Sequence, residues 1–425
     1  MTGPKKCRWH AKVNFSMNKK TLREIELSGK RVIHHCDFNI KLKPVANGEL
    51  RPISDVRLKA YFPSIFYLLE HKCKIIFISY LERPGGKVVE ELRMAPVAKR
   101  LSQLINREVK YLPELIGPKV KTFIDQMKPG QMVMLENTRF YPGEEADDDK
   151  FAKAMAANGD SMVEDAFGHC HRIHASTTGI PRHIPSVAGM YLEGEMEIFD
   201  RLMKHPEPPT TLIIGGTKTY DKIMAIKNLI NKTDQVLVGG AAANNFFKAM
   251  GVDVGASYLD EPYVDKAKGE KIDLVEASGQ LMAQYGKKII IPVDAVVADS
   301  LDKPTKKRIV SVTPETKLEK GEVFLDIGPA SVKKYVEIIN KSQTVFWDGP
   351  MGKYEDARFR DGTLKVAEAV AADGKTSILA GGDTAALAED FGLIFRYSHV
   401  SIAGGAALEY LAGKPMPGIE ALLDK

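Results

Sequence analysis

The segment SILAGGDTAALAED, Ser377 to Asp390, sets two glycines between a short apolar run and an alanine-rich helix former. Asp383 and Thr384 follow the glycines directly. A carboxylate repels phosphate, so Asp383 gains a chemical use there if Mg²⁺ bridges the two anions. Thr384 could donate to a phosphate oxygen. Either residue could equally cap the following helix, and the spacing leaves both readings open. Complementary charge stands in IIGGTKTYDKIMAIKNL, where Lys218 and Lys222 lie four apart at an expected helix start. That spacing puts both ammonium groups on one face. They could neutralise charge developing on a phosphoryl group, or simply form a solvated face.

The first half carries a different chemistry. Arg57, Arg83, Arg139 and Arg172 stand in loops or after apolar runs, and a forked guanidinium suits carboxylate or phosphate. Asp37 and Asn39 close the run RVIHHCDFN with alternating placement that could show both to one cleft. Taken singly, each arginine is an ordinary surface residue; together they suggest a site for a small anion. The halves therefore predict a transferase whose two substrates meet across a cleft, one highly anionic and the other a phosphate–metal complex.

The elements that must position these groups alternate. In the first half, strands are expected at RVIHHCDF, CKIIFISYL, QMVMLENTRF and DSMVEDAFGH, with helices at MAPVAKRLSQLI and DKFAKAMAANG. A charged helical bridge, MYLEGEMEIFDRLMKHPEPP, marks the boundary over 190–209. The pattern then restarts. TTLIIGG, QVLVGG, SILAGGD and HVSIAGG each end an apolar run in a glycine pair before helix formers, while KKIIIPVDAVV is read as a strand and a loop. In an open parallel sheet, ligands bind beyond the carboxyl ends of strands, where glycine admits close approach and helix amides face an anion. None of these turns carries the dinucleotide or Walker signature.

Length and composition agree with this division. The 425 residues exceed one core, and 44% hydrophobic content excludes a disordered chain. Sixty basic against 55 acidic residues give a net charge of +5, too balanced to suggest a nucleic-acid binder. The four cysteines, Cys7, Cys36, Cys73 and Cys170, form no CxxC pair, so neither structural zinc nor a disulfide framework is expected. No apolar run reaches spanning length, and the first dozen or so residues are expected to be a loose basic extension without a signal core. A soluble, reducing compartment fits.

These pieces, with KRVIHHCDFN, SYLERPGG, MLENTRFYPGEE, EDAFGHCHRIHAS, DIGPAS, VFWDGPMGKYE and SHVSIAGGAALEYLAGK, resemble the phosphoglycerate kinase family in order from about Lys30 to Leu423. The resemblance implies two Rossmann-like α/β domains with mostly parallel sheets, joined by a helix and hinge. It divides the chain into a phosphoglycerate-binding domain (1–189), a linker (190–209), a nucleotide-binding domain (210–405) and a tail (406–425) packing back on the first. It implies reversible phosphoryl transfer between 1,3-bisphosphoglycerate and ADP, giving 3-phosphoglycerate and ATP, with Mg²⁺ required, in a cytoplasmic monomer without nucleic-acid or membrane partners.

By the same resemblance, Asp37 and Asn39 hold phosphoglycerate, and Arg57 is catalytic beside the transferring group. Arg83, Arg139 and Arg172 complete the basic patch. Lys218 follows the phosphoryl group, Lys222 contacts nucleotide phosphate, and Glu355 contacts ribose. Asp383 attends Mg²⁺ with Thr384 beside it. Gly381, Gly382, Gly404 and Gly405 line the nucleotide and transfer site, with Gly381 and Gly404 in the catalytic set. Several positions depart from the pattern. Tyr80 replaces a substrate-side histidine and Glu82 a glycine; Asp348 replaces a neutral amide; Ile402 loses a hydroxyl; Ala403 adds a Cβ where glycine is usual; and HHCDFN lacks an arginine. These departures motivate an alternative, a catalytically silent metabolite-binding protein of the same fold. A NAD-dependent oxidoreductase is disfavoured by the missing GxGxxG and its ribose-binding acid.

Overall fold

The computed structural model describes residues 18–45, 48–265 and 270–425. The expected amino-terminal extension and Cys7 lie outside the described residues. The described chain forms two compact units. One holds residues up to Asp200 together with Pro415–Lys425, and the other is Arg201–Lys414.

The first unit is built on a six-stranded parallel sheet. In chain order its strands are β1 (Arg31–His35), β2 (Lys74–Ile78), β3 (Val109–Tyr111), β4 (Met132–Met134), β5 (Ser161–Glu164) and β6 (Ser186–Ala188). Their spatial order is β3-β4-β2-β1-β5-β6. Strands covered on both faces need continuous apolar runs, which KIIFI and MVM supply. Fully burying each of Ile75, Ile76 and Phe77 contributes roughly 1.5–3 kcal/mol. Helices α1 (Val56–Ala60), α2 (Ala95–Ile105) and α3 (Asp149–Ala156) lie in the same unit. Register places His35 opposite both Ile78 and Glu164, so three segments leave the sheet at one level: Cys36–Asn39, Ser79–Arg83 and Asp165–Arg172.

The chain passes from the first unit to the second within helix α4 (Met190–Lys204). The second sheet comprises β7 (Thr210–Ile214), β8 (Gln235–Val238), β9 (Ile289–Ile290), β13 (Thr344–Asp348), β14 (Thr376–Ala380) and β15 (His399–Val400). Its parallel order is β9-β8-β7-β13-β14-β15. A smaller antiparallel sheet places β10 (Asp294–Ala298) between β11 (Lys307–Ser311) and β12 (Val323–Ile327). Asp348 pairs in register with Ile214 on one side and Ala380 on the other. The loops after β7, β13 and β14 therefore emerge together, and helices α5 (Thr219–Leu229), α6 (Gly240–Ala249), α7 (Gly382–Asp390) and α8 (Gly405–Leu411) follow strands β7, β8, β14 and β15.

Three expectations need correction. KKIIIPVDAVV is two strands in two sheets, because Pro292 breaks the run and the second half joins the antiparallel sheet. HVSIAGG contains only a two-residue strand, with 401–403 irregular before Gly404. Residues 406–414 stay with the second unit, where α8 packs on α5, and only Pro415–Lys425 belongs to the first.

Candidate active site

In the first unit, the segment after β1 is tied to the segment after β2. Asp37 is buried and its Oδ2 lies 2.7 Å from Arg57 Nη1, reaching from α1. Asp37 Oδ1 accepts from the Asn39 amide at 3.0 Å, and Asn39 Oδ1 accepts from the Glu82 amide at 2.9 Å. Glu82 is held at φ 50°, a left-handed conformation that explains why glycine is usual there. Its side chain is exposed.

Arg139 is placed by its own local sequence. Asn137 caps a short 3₁₀ turn by accepting from the Arg139 amide at 3.0 Å, while its Nδ2 donates to the Leu81 and Leu92 carbonyls, both at 3.0 Å. The guanidinium of Arg139 lies 3.8 Å over the Tyr80 ring and donates to the Glu82 carbonyl at 2.7 Å. It also meets His169 Nε2 at 3.2 Å. Burial, then neighbouring His35, His174 and Arg139, pushes the His169 pKa well down, so the neutral ring accepts from the guanidinium. Burial and then Asp37 raise the Tyr80 phenol, which stays protonated as a donor. Arg83 and Arg172 are exposed, and their guanidinium groups have no hydrogen bond or ion pair among the described residues.

The histidines of HHCDFN turn to buried acids. His34 Nε2 meets Asp165 Oδ2 at 2.8 Å and His35 Nδ1 meets Glu164 Oε2 at 2.7 Å. Burial opposes charge on His35, but the Glu164 carboxylate outweighs it and raises the imidazole pKa. The sequence reading did not single out His169, His174 or Glu144. Their candidate ligand atoms lie within 4.8 Å of one another. The signal was the spacing HCHRIH, but Arg139 beside His169 makes the cluster a poor home for a dication.

In the second unit the three neighbouring strand ends form a tight backbone cradle. Gly215 N donates to Asp348 O at 2.8 Å, Gly216 N to Pro350 O at 2.8 Å, and Gly240 N to Met351 O at 2.8 Å. Gly349 adopts φ 86°, and a Cβ there would lie 2.2 Å from Gly215 O. The buried Trp347 indole donates to Gly349 O at 2.7 Å, and Thr384 Oγ1 accepts from Gly349 N at 2.7 Å. Thr384 thus braces the loop after β13. The capping alternative fails, since Gly381 is the N-cap of α7 and no side chain caps it. Gly381 sits at φ 92°, where a Cβ would come 2.4 Å from Asp348 Oδ1. Gly404, at φ 59°, is the N-cap of α8 and faces open space; Gly405 begins that helix. Ala403 keeps an ordinary φ, so its Cβ brings no backbone strain.

The lysine pair is divided. Lys218 is the N-cap of α5, left-handed at φ 61°, and exposed, whereas Lys222 is buried inside the helix. Lys222 Nζ contacts the Gly215 carbonyl and lies 3.1 Å from Asp348 Oδ2. The adjoining cavity, of about 380 Å³, is lined by Gly216, Gly240, Asp326, Glu355 and Asp383 among others. Asp383 and Glu355 are exposed on its wall. Burial pushes the Asp326 carboxyl up to about 7, although it accepts from the Gly362 and Ile327 amides.

The model of the phosphoglycerate kinase family matches residues 22–414. Among solved structures, phosphoglycerate kinase from Coxiella burnetii is 33% identical with a TM-score of 0.77, covering 95% of this chain and 98% of that one. Phosphoglycerate kinase from Pyrococcus horikoshii OT3 is 29% identical with a TM-score of 0.81, over the same shares of the two chains.

Proposed function

This chain belongs to the phosphoglycerate kinase family, and from that premise we infer that its two sites hold the two partners of one phosphoryl transfer. The enzyme interconverts 1,3-bisphosphoglycerate and ADP with 3-phosphoglycerate and ATP. The observation that carries the site assignment is the cradle in the second unit. Three strand ends in register, followed by Gly215–Gly216, Gly349 and Gly381–Gly382, stand beside a cavity whose wall carries Glu355 and Asp383.

In this reading Asp37, Asn39, Tyr80, Arg83, Arg139 and Arg172 bind phosphoglycerate. Arg139 is pre-aimed by Asn137 and the Tyr80 ring, while the free guanidinium groups of Arg83 and Arg172 answer the phosphate. Lys222, Asp348, Gly381, Gly382, Asp383 and Thr384 form the nucleotide-phosphate site, and Glu355 meets the ribose. Asp383 presents a carboxylate with no hydrogen bond or ion pair among the described residues, which fits a hard dication that keeps several waters. Bound there, Mg²⁺ would neutralise charge on the nucleotide phosphates.

In the ATP-consuming direction, the carboxylate of 3-phosphoglycerate attacks the γ-phosphorus, one P–O bond forms, and the bond to the ADP oxygen breaks. Both nucleophile and leaving group are oxyanions at neutral pH, so no protein base is needed. Catalysis consists of positioning and charge stabilisation, for which Arg57, Lys218 and the glycine amides at 381 and 404 are the candidates. A cytoplasmic monomer belongs to the same proposal. The cysteines among the described residues are free and buried, as a reducing compartment would leave them. Among these residues no helix is long and apolar enough to cross a membrane.

Calorimetric titration tests the assignment. Replacing Arg139 or Arg172 with alanine should weaken 3-phosphoglycerate binding by about tenfold or more while leaving ADP binding unchanged. Wild-type affinity in both variants would contradict the phosphoglycerate site.

A further inference from the structure

Lys222 does not offer its ammonium to the cavity in this structure. It is buried, folds back onto the Gly215 carbonyl, and meets Asp348 Oδ2 at 3.1 Å. Asp348 is itself buried at the end of β13, and Gly381 closes against its Oδ1. Burial raises the Asp348 pKa, Lys222 and Lys218 oppose that rise, and Asp383 adds to it. Lys222 and Asp348 thus form one buried ion pair at the end of β13. Their formal charges cancel, where an amide at 348 would leave one positive charge in excess.

A diphosphate approaching a lysine whose charge a carboxylate already offsets gains little from Coulomb attraction to it and must also pull Lys222 from Asp348. A divalent cation arriving with the diphosphate changes both conditions. Asp383, and Asp348 behind it, would answer the positive charge of such an ion, and that competition would weaken the hold of Asp348 on the lysine. We propose that Asp348 is a positioning residue that keeps Lys222 latched, making nucleotide binding conditional on the accompanying divalent cation. The proposal rests on the nucleotide-site reading above and adds a control step to it.

The test is calorimetric titration of ADP into the full-length protein, with excess Mg²⁺ and separately with EDTA, for wild type and Asp348→Asn. The variant should bind metal-free ADP about tenfold or more tighter than wild type, so that the ratio of the affinities with and without Mg²⁺ shrinks. An unchanged ratio of the two affinities would overturn the latch while leaving the site assignment standing. Absence of ADP binding under both conditions in wild type would overturn both. Should the variant fail to fold, wild-type crystals grown with ADP and EDTA, or with ADP and Mg²⁺, decide the matter. Lys222 should remain on Asp348 in the first and leave it in the second; Lys222 on the diphosphate in both would overturn the proposal.

Discussion

At the residue scale, Lys218 combines charge and strain. It is a non-glycine residue at φ 61°, held there as the N-cap of α5. Removing the side chain and relieving the backbone are separable. Lys218→Ala and Lys218→Gly should both lower turnover by about a hundredfold or more, since each loses the ammonium. The glycine variant should melt higher than the alanine variant, by an amount equivalent to about 1 kcal/mol, because it alone accepts the left-handed backbone freely. Tyr80 invites a similar separation. Its ring supports the Arg139 guanidinium at 3.8 Å, and its hydroxyl is a donor. Tyr80→Phe should raise the KM for 3-phosphoglycerate only a few-fold, whereas Tyr80→Ala, which also removes the platform, should raise it by about tenfold or more. Equal effects in steady-state kinetics would deny the ring its role.

At the scale of elements, the site is made by loops leaving parallel strands in register. Gly349 shows how little room they have, with φ 86° and Gly215 O 2.2 Å from any added Cβ. Gly349→Ala should lose at least about 2 kcal/mol in urea unfolding and weaken ADP binding as well. Asp326, at the end region of β12, gives a pH signature. Its folded pKa of about 7 lies above the ordinary carboxylate value, so the folded chain holds that proton more tightly than the unfolded one. Its contribution therefore turns increasingly unfavourable as pH rises from about 4 to 7. Thermal melts of Asp326→Asn should show a flatter pH dependence than wild type across that window.

The sequence made the parallel strands and glycine turns legible because fully covered strands need unbroken apolar runs, and those runs stop where backbone must approach a ligand. It also put Arg139 and Lys218 in view through their places after such runs, whereas Arg57, expected in a loop, lies on helix α1. The antiparallel strands β11 and β12 were not singled out, since RIV and VFLDI are short and lack glycine-pair endings. The separation of Lys218 from Lys222 was equally hidden. Spacing of four places two residues on one helical face only if both are helical, and Lys218 precedes the helix. The stack of Arg139, Tyr80 and His169 joins three distant segments, which no local pattern reports.

At the scale of the whole molecule, each unit has its own sheet and its own candidate site, yet the first is completed by the last eleven residues. Lys20 N donates to Leu423 O at 2.7 Å, Leu423 N to Ser186 O at 3.0 Å, and Gly418 N to Cys170 O at 2.9 Å. Lys19 and Asp424 form an ion pair at 2.8 Å, and Ile419 and Leu422 are buried. Deleting Pro415–Lys425 should therefore lower the melting temperature of the first unit by about 5 °C or more, read by calorimetry. Arg57 belongs to the first unit and Lys218 to the second. The most direct measurement is ADP formation from ATP, Mg²⁺ and 3-phosphoglycerate by the purified protein, beside Arg57→Ala and Lys218→Ala. Turnover that depends on 3-phosphoglycerate and collapses in both variants is the predicted result. Wild-type turnover in either variant, or none in the wild type, would contradict charge stabilisation of the migrating phosphoryl group as the basis of this enzyme's activity.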